Sequence, residues 1–361
     1  MAPGASPSGA STRTWRATSA RTSARAAPRA LDAPRGALIR SGRGARPMTD
    51  SRDAIRDVMM RYARLTDLAD HDAVGEIFTH GPFRSSLGAS HAGAQMAANR
   101  KQRILVHDGS PGTRHMTTNI MIDVDEEAGT ARARSYFTLF QATPTMRLRL
   151  VGSGRYYDQF ERIEGEWWFT DRLSMLDTRG DLTQHIRGYE IGELPYDVEV
   201  LGPPLEEVPP MPVPDEVHAA VETLIFTYAE RIDLGDFEGA GEVFAHGGRQ
   251  HGMDGTPLGG PALAEALRGG FRMHDGSPRT KHVTTNVLIE PDEEAGTATA
   301  RSYFTVTLAT PDLPLQIIAA GRYHDSFERV DGVWRFRSRT ILLDHRGEIE
   351  HHVPPGSALL R

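Results

Sequence analysis

The chain repeats itself over long stretches, and this repetition limits what it can fold into. "HDGSPGTRHMTTN" spans residues 107–119, and "HDGSPRTKHVTTN" spans residues 274–286, 167 positions later. The phrases "DEEAGTA", "ARSYFT", "GRY" and "FER" recur at the same offset. Solenoid repeats have periods of about 20–50 residues, so a period this long indicates a duplicated domain.

Each copy begins with helical patterns and ends with strand patterns. Apolar residues at helical spacing predict a first helix around 55–62 and around 221–232. We predict the later elements as follows: helices at 71–79, 237–245, 92–104 and 261–271, and strands at 115–124, 130–141, 147–162 and 166–177 with counterparts in the second copy. Helices followed by an antiparallel sheet predict an α+β fold.

The chain divides into two domains with flanking segments. We predict a tail at 1–47, a first domain at 48–187, a proline-rich linker at 188–216, a second domain at 217–352 and a closing tail at 353–361. The first tail holds nine Arg and one acidic residue, Asp32, and its lack of apolar periodicity predicts disorder. Its composition is similar to that of an organellar transit peptide, and translation from Met48 is the alternative. We expect a cytoplasmic protein and leave the targeting peptide open.

Charge and composition exclude several classes of function. The whole chain carries a net charge of −7, and without its basic tail of +8 the remainder carries −15. An acidic body repels phosphate backbones, so we expect no nucleic-acid partner. No apolar run reaches the roughly 18 residues that a membrane span needs, and no Cys is present for disulfides or thiolate metal sites. The expected partner is a small-molecule substrate.

One strand pattern predicts how the two copies pack. "RSYFTLF" at 134–140 has aromatic or apolar residues on both faces, with Tyr136 on one and Phe137 on the other. A sheet buried on both faces needs a cover for each. We expect the helices of the domain to cover one face and the sheet of the second copy to cover the other. This packing would make a pseudo-dimer within one chain, and further homo-oligomers stay open.

An ordered set of motifs occurs in both copies. It consists of Tyr-x4-Asp-x2-Asp at a helix end, then "HxTTN", "GRYxDxFxR" and "(D/E)GxW". This set resembles the SnoaL-like branch of the NTF2-like superfamily over about 53–180 and 217–347. The resemblance implies two tandem cone-shaped α+β barrels, each enclosing an apolar pocket. Relatives include scytalone dehydratase, bile acid 7α-dehydratase and a hexachlorocyclohexane dehydrochlorinase, and other members only bind ligands.

The resemblance also implies a catalytic set. In dehydratase-like members a His on the first strand is the base, an Asp at the end of the first helix orients it, and a Tyr five residues earlier assists. The matching positions are Tyr62, Asp67 and His115 in the first copy, and Tyr228, Asp233 and His282 in the second. An imidazole can take a proton near neutral pH, a carboxylate fixes its tautomer, and a phenol donates a hydrogen bond without carrying charge.

Further polar residues recur near these positions. Tyr156 and Tyr323 are candidates for lining the pocket or for core packing. We expect Asn119 and Asn286 to satisfy backbone groups or to line the pocket, and His107 and His274 to lie in a loop near its mouth. The paired histidines lack a third donor, so we predict no metal site. We expect Tyr136 and Tyr303 in the core. Arg155 and Arg322 are expected in ion pairs across the domain interface, with an oxyanion contact as the alternative, and Asp177 and Asp344 at solvated strand ends, with the edge of the pocket as the alternative.

The leading functional hypothesis is a cofactor-independent lyase of the dehydratase type that acts on a small, mostly apolar cyclic substrate. One alternative is an isomerase or polyketide-cyclase-like enzyme that uses the same base. The other is a small-molecule-binding protein without catalysis. The carboxylate base of a ketosteroid-isomerase-like site has no counterpart in the first copy, where "HGPFRSSLGASH" at 80–91 contains no acidic residue.

Overall fold

The computed structural model describes residues 50–86, 89–189, 209–251, 255–355 and 357. Both repeats belong to one compact unit, Thr49–Arg361. The predicted first tail and most of the predicted linker lie outside the described residues, as does most of the closing tail. The division into two domains at 48–187 and 217–352 therefore stays a proposal, supported by a separate sheet in each repeat.

Each repeat contributes three helices, and their order matches the prediction. The helices are α1 (Ser51–Asp67), α2 (His71–Ile77), α3 (Gly93–Arg103), α4 (Val217–Leu234), α5 (Phe237–Glu242) and α6 (Gly260–Gly270), with a 3₁₀ turn at Ile349–His351. The carboxylate of Asp50 accepts a hydrogen bond from the first turn of α1, which starts that helix. Gly235, in the left-handed conformation at φ 77°, ends α4 as expected for a helix terminator.

Two mainly antiparallel sheets pack against the helices. The strands are β1 (Phe83–Ser85), β2 (Ala89–His91), β3 (Thr113–Asp125), β4 (Thr130–Thr143), β5 (Met146–Ile163), β6 (Glu166–Arg179), β7 (Gly248–His251), β8 (Thr280–Asp292), β9 (Thr297–Thr310), β10 (Leu313–Val330) and β11 (Val333–Arg346). The sheet orders are β2-β1-β6-β5-β4-β3 and β7-β11-β10-β9-β8. In both sheets the short strand beside the last long strand runs parallel to it, which the sequence patterns did not indicate. The predicted α+β fold in two copies is confirmed.

The hydrophobic core of each repeat lies between its helices and the inner face of its sheet. Ile55, Met59 and Tyr62 of α1 pack with Phe137 and Phe160 of the first sheet in one apolar cluster. Helix α4 packs in the same way on the second sheet. These contacts bury the apolar stripe that each helix carries at 3.6-residue spacing.

The second repeat covers the outer face of the first sheet with α4 and with strands of its own sheet. Met121 of β3 packs into the apolar cluster around α4, and Arg134 of β4 pairs with Glu230 of α4 at 2.9 Å between Nη1 and Oε2. Strands β8, β9 and β10 also contact the first sheet, and the Nζ atom of Lys281 in β8 lies 2.9 Å from Oδ2 of Asp177. The second sheet therefore contributes to the cover as expected, and α4 adds a helical part of the cover that the sequence patterns did not indicate.

The corresponding face of the second sheet is exposed in part among the described residues. Tyr136 is 2% exposed, whereas Tyr303 at the same position of the second repeat is 55% exposed. The predicted core position of Tyr303 is therefore wrong. The two repeats do pack within one chain, but they do so asymmetrically, because α4 has no counterpart that covers the second sheet.

Among the described residues, no helix combines the length and the apolar character that a membrane span requires.

Candidate functional site

The end of α1 and the start of β3 bring Asp67 and His115 together. Oδ1 of Asp67 lies 2.7 Å from Nδ1 of the His115 ring and 2.8 Å from the hydroxyl oxygen of Thr113. Oδ2 accepts a third bond, of 2.9 Å, from the backbone N–H of His115. Since both oxygens are held, the carboxylate fixes the position of the strand as well as the orientation of the ring.

The protonation state of this pair follows from its hydrogen bonds. Burial alone would raise the pKa of Asp67, but the bonds from His115 and Thr113 outweigh it and hold the pKa below its usual 3.8. An ionised carboxylate only accepts hydrogen bonds, so Nδ1 of His115 carries the proton. In the neutral ring, Nε2 is then the atom with a free lone pair, which is the form a general base requires.

The second repeat builds the same pair. Nδ1 of His282 lies 2.6 Å from Oδ1 of Asp233, the backbone N–H of His282 donates to Oδ2 at 2.8 Å, and the Thr280 hydroxyl donates to Oδ1 at 2.8 Å. Despite its complete burial, the pKa of Asp233 is lowered by the charge and hydrogen bond of His282. Tyr136 of the first repeat lies close by, and burial followed by the charge of Asp233 raises the pKa of its phenol.

A cavity of about 140 Å³ opens beside the first pair. Its apolar walls include Phe83, Met96, Phe137, Leu139 and Leu176. An apolar cavity of roughly 150 Å³ holds one benzene molecule. The space therefore fits a compound with a single ring, in contact with the imidazole of His115.

Two tyrosines line this cavity together with His115. The rings of Tyr62 and Tyr156 meet edge to face with centroids 6.1 Å apart. Burial, followed by the proximity of Tyr62, raises the pKa of Tyr156 well above its usual range, so this phenol keeps its proton at neutral pH. It can donate a hydrogen bond to a substrate oxygen without carrying charge.

A buried ion pair contacts the rings of both tyrosines. Arg172 makes two hydrogen bonds to Asp158, of 2.7 and 2.6 Å, and both side chains are almost completely buried. The guanidinium carbon lies 4.6 Å from the ring centroid of Tyr62 and 4.1 Å from that of Tyr156. These cation–π contacts fix the two rings in place. Arg339 and Asp325 form the same pair in the second repeat.

His185 is a cavity residue that our sequence analysis missed. Its ring centroid lies 6.5 Å from that of His115, and its buried Nδ1 has no hydrogen-bond partner among the described residues. Burial, together with the nearby charges of His115 and Arg100, lowers the pKa of His185 to about 3. The ring is therefore neutral near pH 7.

A signal for His185 was present in the sequence. His352 lies 167 residues later, at the offset that relates His115 to His282, and burial lowers its pKa to about 3 as well. The flanking residues differ in the two copies ("LTQHIR" and "IEHHVP"), so the repeat is hard to see there.

The other predicted binding residues lie in several places. Tyr156 lines the cavity, whereas its counterpart Tyr323 stacks on Phe304 with ring centroids 4.5 Å apart. The ring Nε2 atoms of His107 and His274 lie 2.8 and 2.9 Å from the backbone oxygens of Gln184 and His351, so both rings hold their loops against the end of their repeat. Neither histidine lines the cavity.

The two asparagines occupy left-handed backbone positions within β3 and β8, which Asn tolerates better than most residues. Asn119 is buried at the interface between the repeats, where its side chain donates to the backbone oxygen of His282 at 3.1 Å and accepts from the N–H of Thr284 at 2.9 Å. Asn286 is exposed. Asn119 thus satisfies backbone groups, but those of the other repeat, and it does not line the cavity.

The second repeat replaces polar residues of this cavity with apolar ones. The positions of His91, Asn99, Arg100 and Ser174 hold Leu258, Ala266, Leu267 and Ile341. The Phe271 ring also stacks on His352, with centroids 4.2 Å apart. The two His–Asp pairs therefore have similar geometry, but the side chains that surround them differ.

Within the described ranges, no three His, Asp or Glu side chains are grouped so that they could hold a metal ion.

Comparisons with known proteins bear on the whole chain. The family model described as SnoaL-like domain matches residues 47–173 and 216–340, which together exceed half of the chain. No curated protein matches significantly. Among solved structures, an NTF2-like protein with a cystatin-like fold from Novosphingobium aromaticivorans is 23% identical over 35% of this chain and 80% of its own, with a TM-score of 0.30.

Two further solved structures give similar values. A protein of unknown function from Mycobacterium tuberculosis is 28% identical, with 39% of this chain and 80% of that chain covered and a TM-score of 0.30. ActVI-ORFA from Streptomyces coelicolor is 19% identical, with 36% and 98% covered and a TM-score of 0.30. Each alignment spans about the length of one repeat.

Proposed function

Since both of its repeats match that model, the chain belongs to the SnoaL-like domain family, and from this premise we propose that its first repeat is a cofactor-independent lyase of the dehydratase type. Its substrate is a small, mostly apolar cyclic compound. One observation carries the proposal: the imidazole of His115, held by Asp67, lines a cavity of about 140 Å³ together with two tyrosines.

In the proposed reaction each residue has a separate task. His115 takes a proton from the carbon next to an activating carbonyl group, and Asp67 stabilises the imidazolium that forms. A carbon–carbon double bond then forms as the hydroxyl group leaves, and the proton that His115 took and this hydroxyl together make one water. Tyr62 and Tyr156 donate hydrogen bonds to the carbonyl oxygen or to the departing hydroxyl.

We assign the proposed reaction mainly to the first repeat. The second repeat has an equivalent His282–Asp233 pair, so its geometry supports the same proton transfer. Its interior is less polar at two positions, because Leu267 and Ile341 stand where the first repeat has Arg100 and Ser174. Any activity of the second repeat then concerns a more apolar compound.

The test uses a panel of monocyclic compounds with a hydroxyl group β to a carbonyl, because loss of water makes a conjugated enone that absorbs in the ultraviolet. His115→Ala, His282→Ala and the double variant are compared with the parent protein. General acid–base steps contribute about 10²–10⁴-fold, so His115→Ala should lose that factor. Asp67→Asn should lose less, because the base remains but is no longer oriented by a charge.

His218→Ala is the control, because this exposed histidine lies at the start of α4 and contacts only Glu216 among the hydrogen bonds found. It should retain the rate of the parent. The proposal is abandoned if the double variant turns over the panel as fast as the parent protein does.

A further inference from the structure

Among the described residues, no anionic group pairs with one arginine of the cavity. Arg100 lies near the end of α3, lines the cavity and is 8% exposed. Its Nε and Nη2 atoms are buried and, within the part of the chain that the structure describes, make no hydrogen bond. By contrast, the buried guanidinium groups of Arg134 and Arg172 each pair with a carboxylate.

Burying the Arg100 guanidinium in this way costs free energy when no ligand is bound. A guanidinium does not lose its proton in proteins, so Arg100 cannot escape burial by becoming neutral. A buried charge is normally paired and hydrogen-bonded, since its transfer from water otherwise costs several kcal/mol. An unpaired buried cation at a cavity wall is therefore expected to receive its anion from a ligand.

The second repeat indicates that packing does not require an arginine here. Leu267 is the counterpart of Arg100, since each is the eighth residue of an eleven-residue helix. Leu267 is completely buried and belongs to the apolar cluster of its repeat. The same helix in the same fold thus packs well with an aliphatic side chain at this position.

The surroundings of Arg100 are complementary to an anion. None of the described residues that line the cavity is Asp or Glu, and Arg103 adds a second positive charge. The charge of Arg100 contributes to lowering the pKa of His185 and of His71. His185 lines the cavity as well, so the field of the guanidinium reaches into the space that a ligand would occupy.

We propose that Arg100 binds the carboxylate of a single-ring substrate in the cavity of the first repeat. A guanidinium fork can hold both oxygens of a carboxylate, which fixes the orientation as well as the charge. The ring then lies against Phe137 and Leu139, next to His115. This inference rests on the proposed function for the identity of the site, but binding is measured without turnover.

The experiment measures binding of benzoate and of its neutral analogue benzamide to the full chain by titration calorimetry. Arg100→Leu introduces the residue of the second repeat, and Arg100→Lys keeps the charge without the fork. Benzoate should bind the parent protein, and its affinity should fall by roughly 10- to 100-fold in Arg100→Leu, as expected for loss of charge-assisted hydrogen bonds. Arg100→Lys should fall between the two, and benzamide should bind the parent and Arg100→Leu equally weakly.

Lys101→Leu is the matched control, because it removes a positive charge from the neighbouring, exposed position of the same helix. It should bind benzoate as the parent does. Arg100→Leu should melt no lower than the parent, which separates loss of binding from loss of folding. Equal benzoate affinity of Arg100→Leu and the parent overturns the inference, as does failure of benzoate to bind the parent.

His115→Ala distinguishes the inference from the proposed function. If this variant still binds benzoate through Arg100 but the His115→Ala substitution does not slow turnover, only the proposed function fails. If turnover needs His115 but benzoate affinity does not depend on Arg100, only the inference fails.

Discussion

Replacing Asp177 by Asn should destabilise the protein far more than the same change at Asp344, although the two residues occupy one position of the repeat. Asp177 is buried and accepts two hydrogen bonds from Arg155, of 2.7 and 2.8 Å, and lies 2.9 Å from Nζ of Lys281 in the second repeat. Asp344 makes the same two bonds to Arg322, of 2.9 and 2.8 Å, but at the exposed face of the second sheet.

The expected magnitude follows from burial and charge. Burial alone would raise the pKa of Asp177, but the charges of Arg155 and Lys281 outweigh it and hold the pKa below its usual value. Two unit charges 4 Å apart at an effective dielectric constant of 20 attract by about 4 kcal/mol. Asparagine removes this attraction to both cations, and breaking a buried pair typically costs about 3–5 kcal/mol. For a cooperative unit of this size, that corresponds to a fall in melting temperature of roughly 6–10 °C.

The assay is calorimetric melting of the parent, Asp177→Asn and Asp344→Asn at pH 7 and low ionic strength. Asp344→Asn should melt close to the parent, because water already solvates both partners of its pair. Lys281→Met should cost less than Asp177→Asn, because the bonds between Asp177 and Arg155 remain, and its effect isolates the contact between the repeats. Equal shifts for Asp177→Asn and Asp344→Asn would refute the reasoning from an asymmetric interface.

Three further outcomes are expected. Asp67→Asn should lower the melting temperature at pH 7, and the difference from the parent should shrink as the pH falls below 3.8, because the folded-state pKa of Asp67 is depressed and its stabilising charge is lost only there. His185→Gln should reduce the slope with which the free energy of unfolding in urea falls between pH 6.5 and pH 3. In this range the unfolded chain binds a proton at His185, whereas the buried ring stays neutral until about pH 3, which gives a slope of up to about 1.4 kcal/mol per pH unit. Arg172→Met should lower the free energy of unfolding in urea by about 3–5 kcal/mol, because Asp158 stays buried without its cation.

Much of the fold could be predicted from the sequence because the signals are local. The helices and long strands lie within about five residues of their predicted bounds, since hydrophobic periodicity, Gly235 and the turn sequences act over a few residues. The short strands β1 and β7 were missed, since three or four residues carry too little periodicity to be recognised. The spacing of Asp67 and His115 did not show that they meet; the family resemblance implied it, and the structure brings them to 2.7 Å.

Arg100 shows why the rest of the site could not be predicted. It belongs to no motif, and an arginine near a helix end is usually solvated. The absence of a carboxylate near its guanidinium is a property of three-dimensional neighbours that are distant in sequence.

The sequence by itself determined that one α+β domain occurs twice, each time with the same Asp–His pair, because these features depend on residue order within each copy. Only the tertiary structure decided that the copies differ in environment: Tyr136 is buried and Tyr303 exposed, although "ARSYFT" surrounds both. The physical reason lies on another element, since α4 presents Phe226 and Thr227 to the first sheet where α1 carries Met60 and Arg61. Identical strands cannot encode which of them will be covered, because the cover comes from a surface far away in the chain.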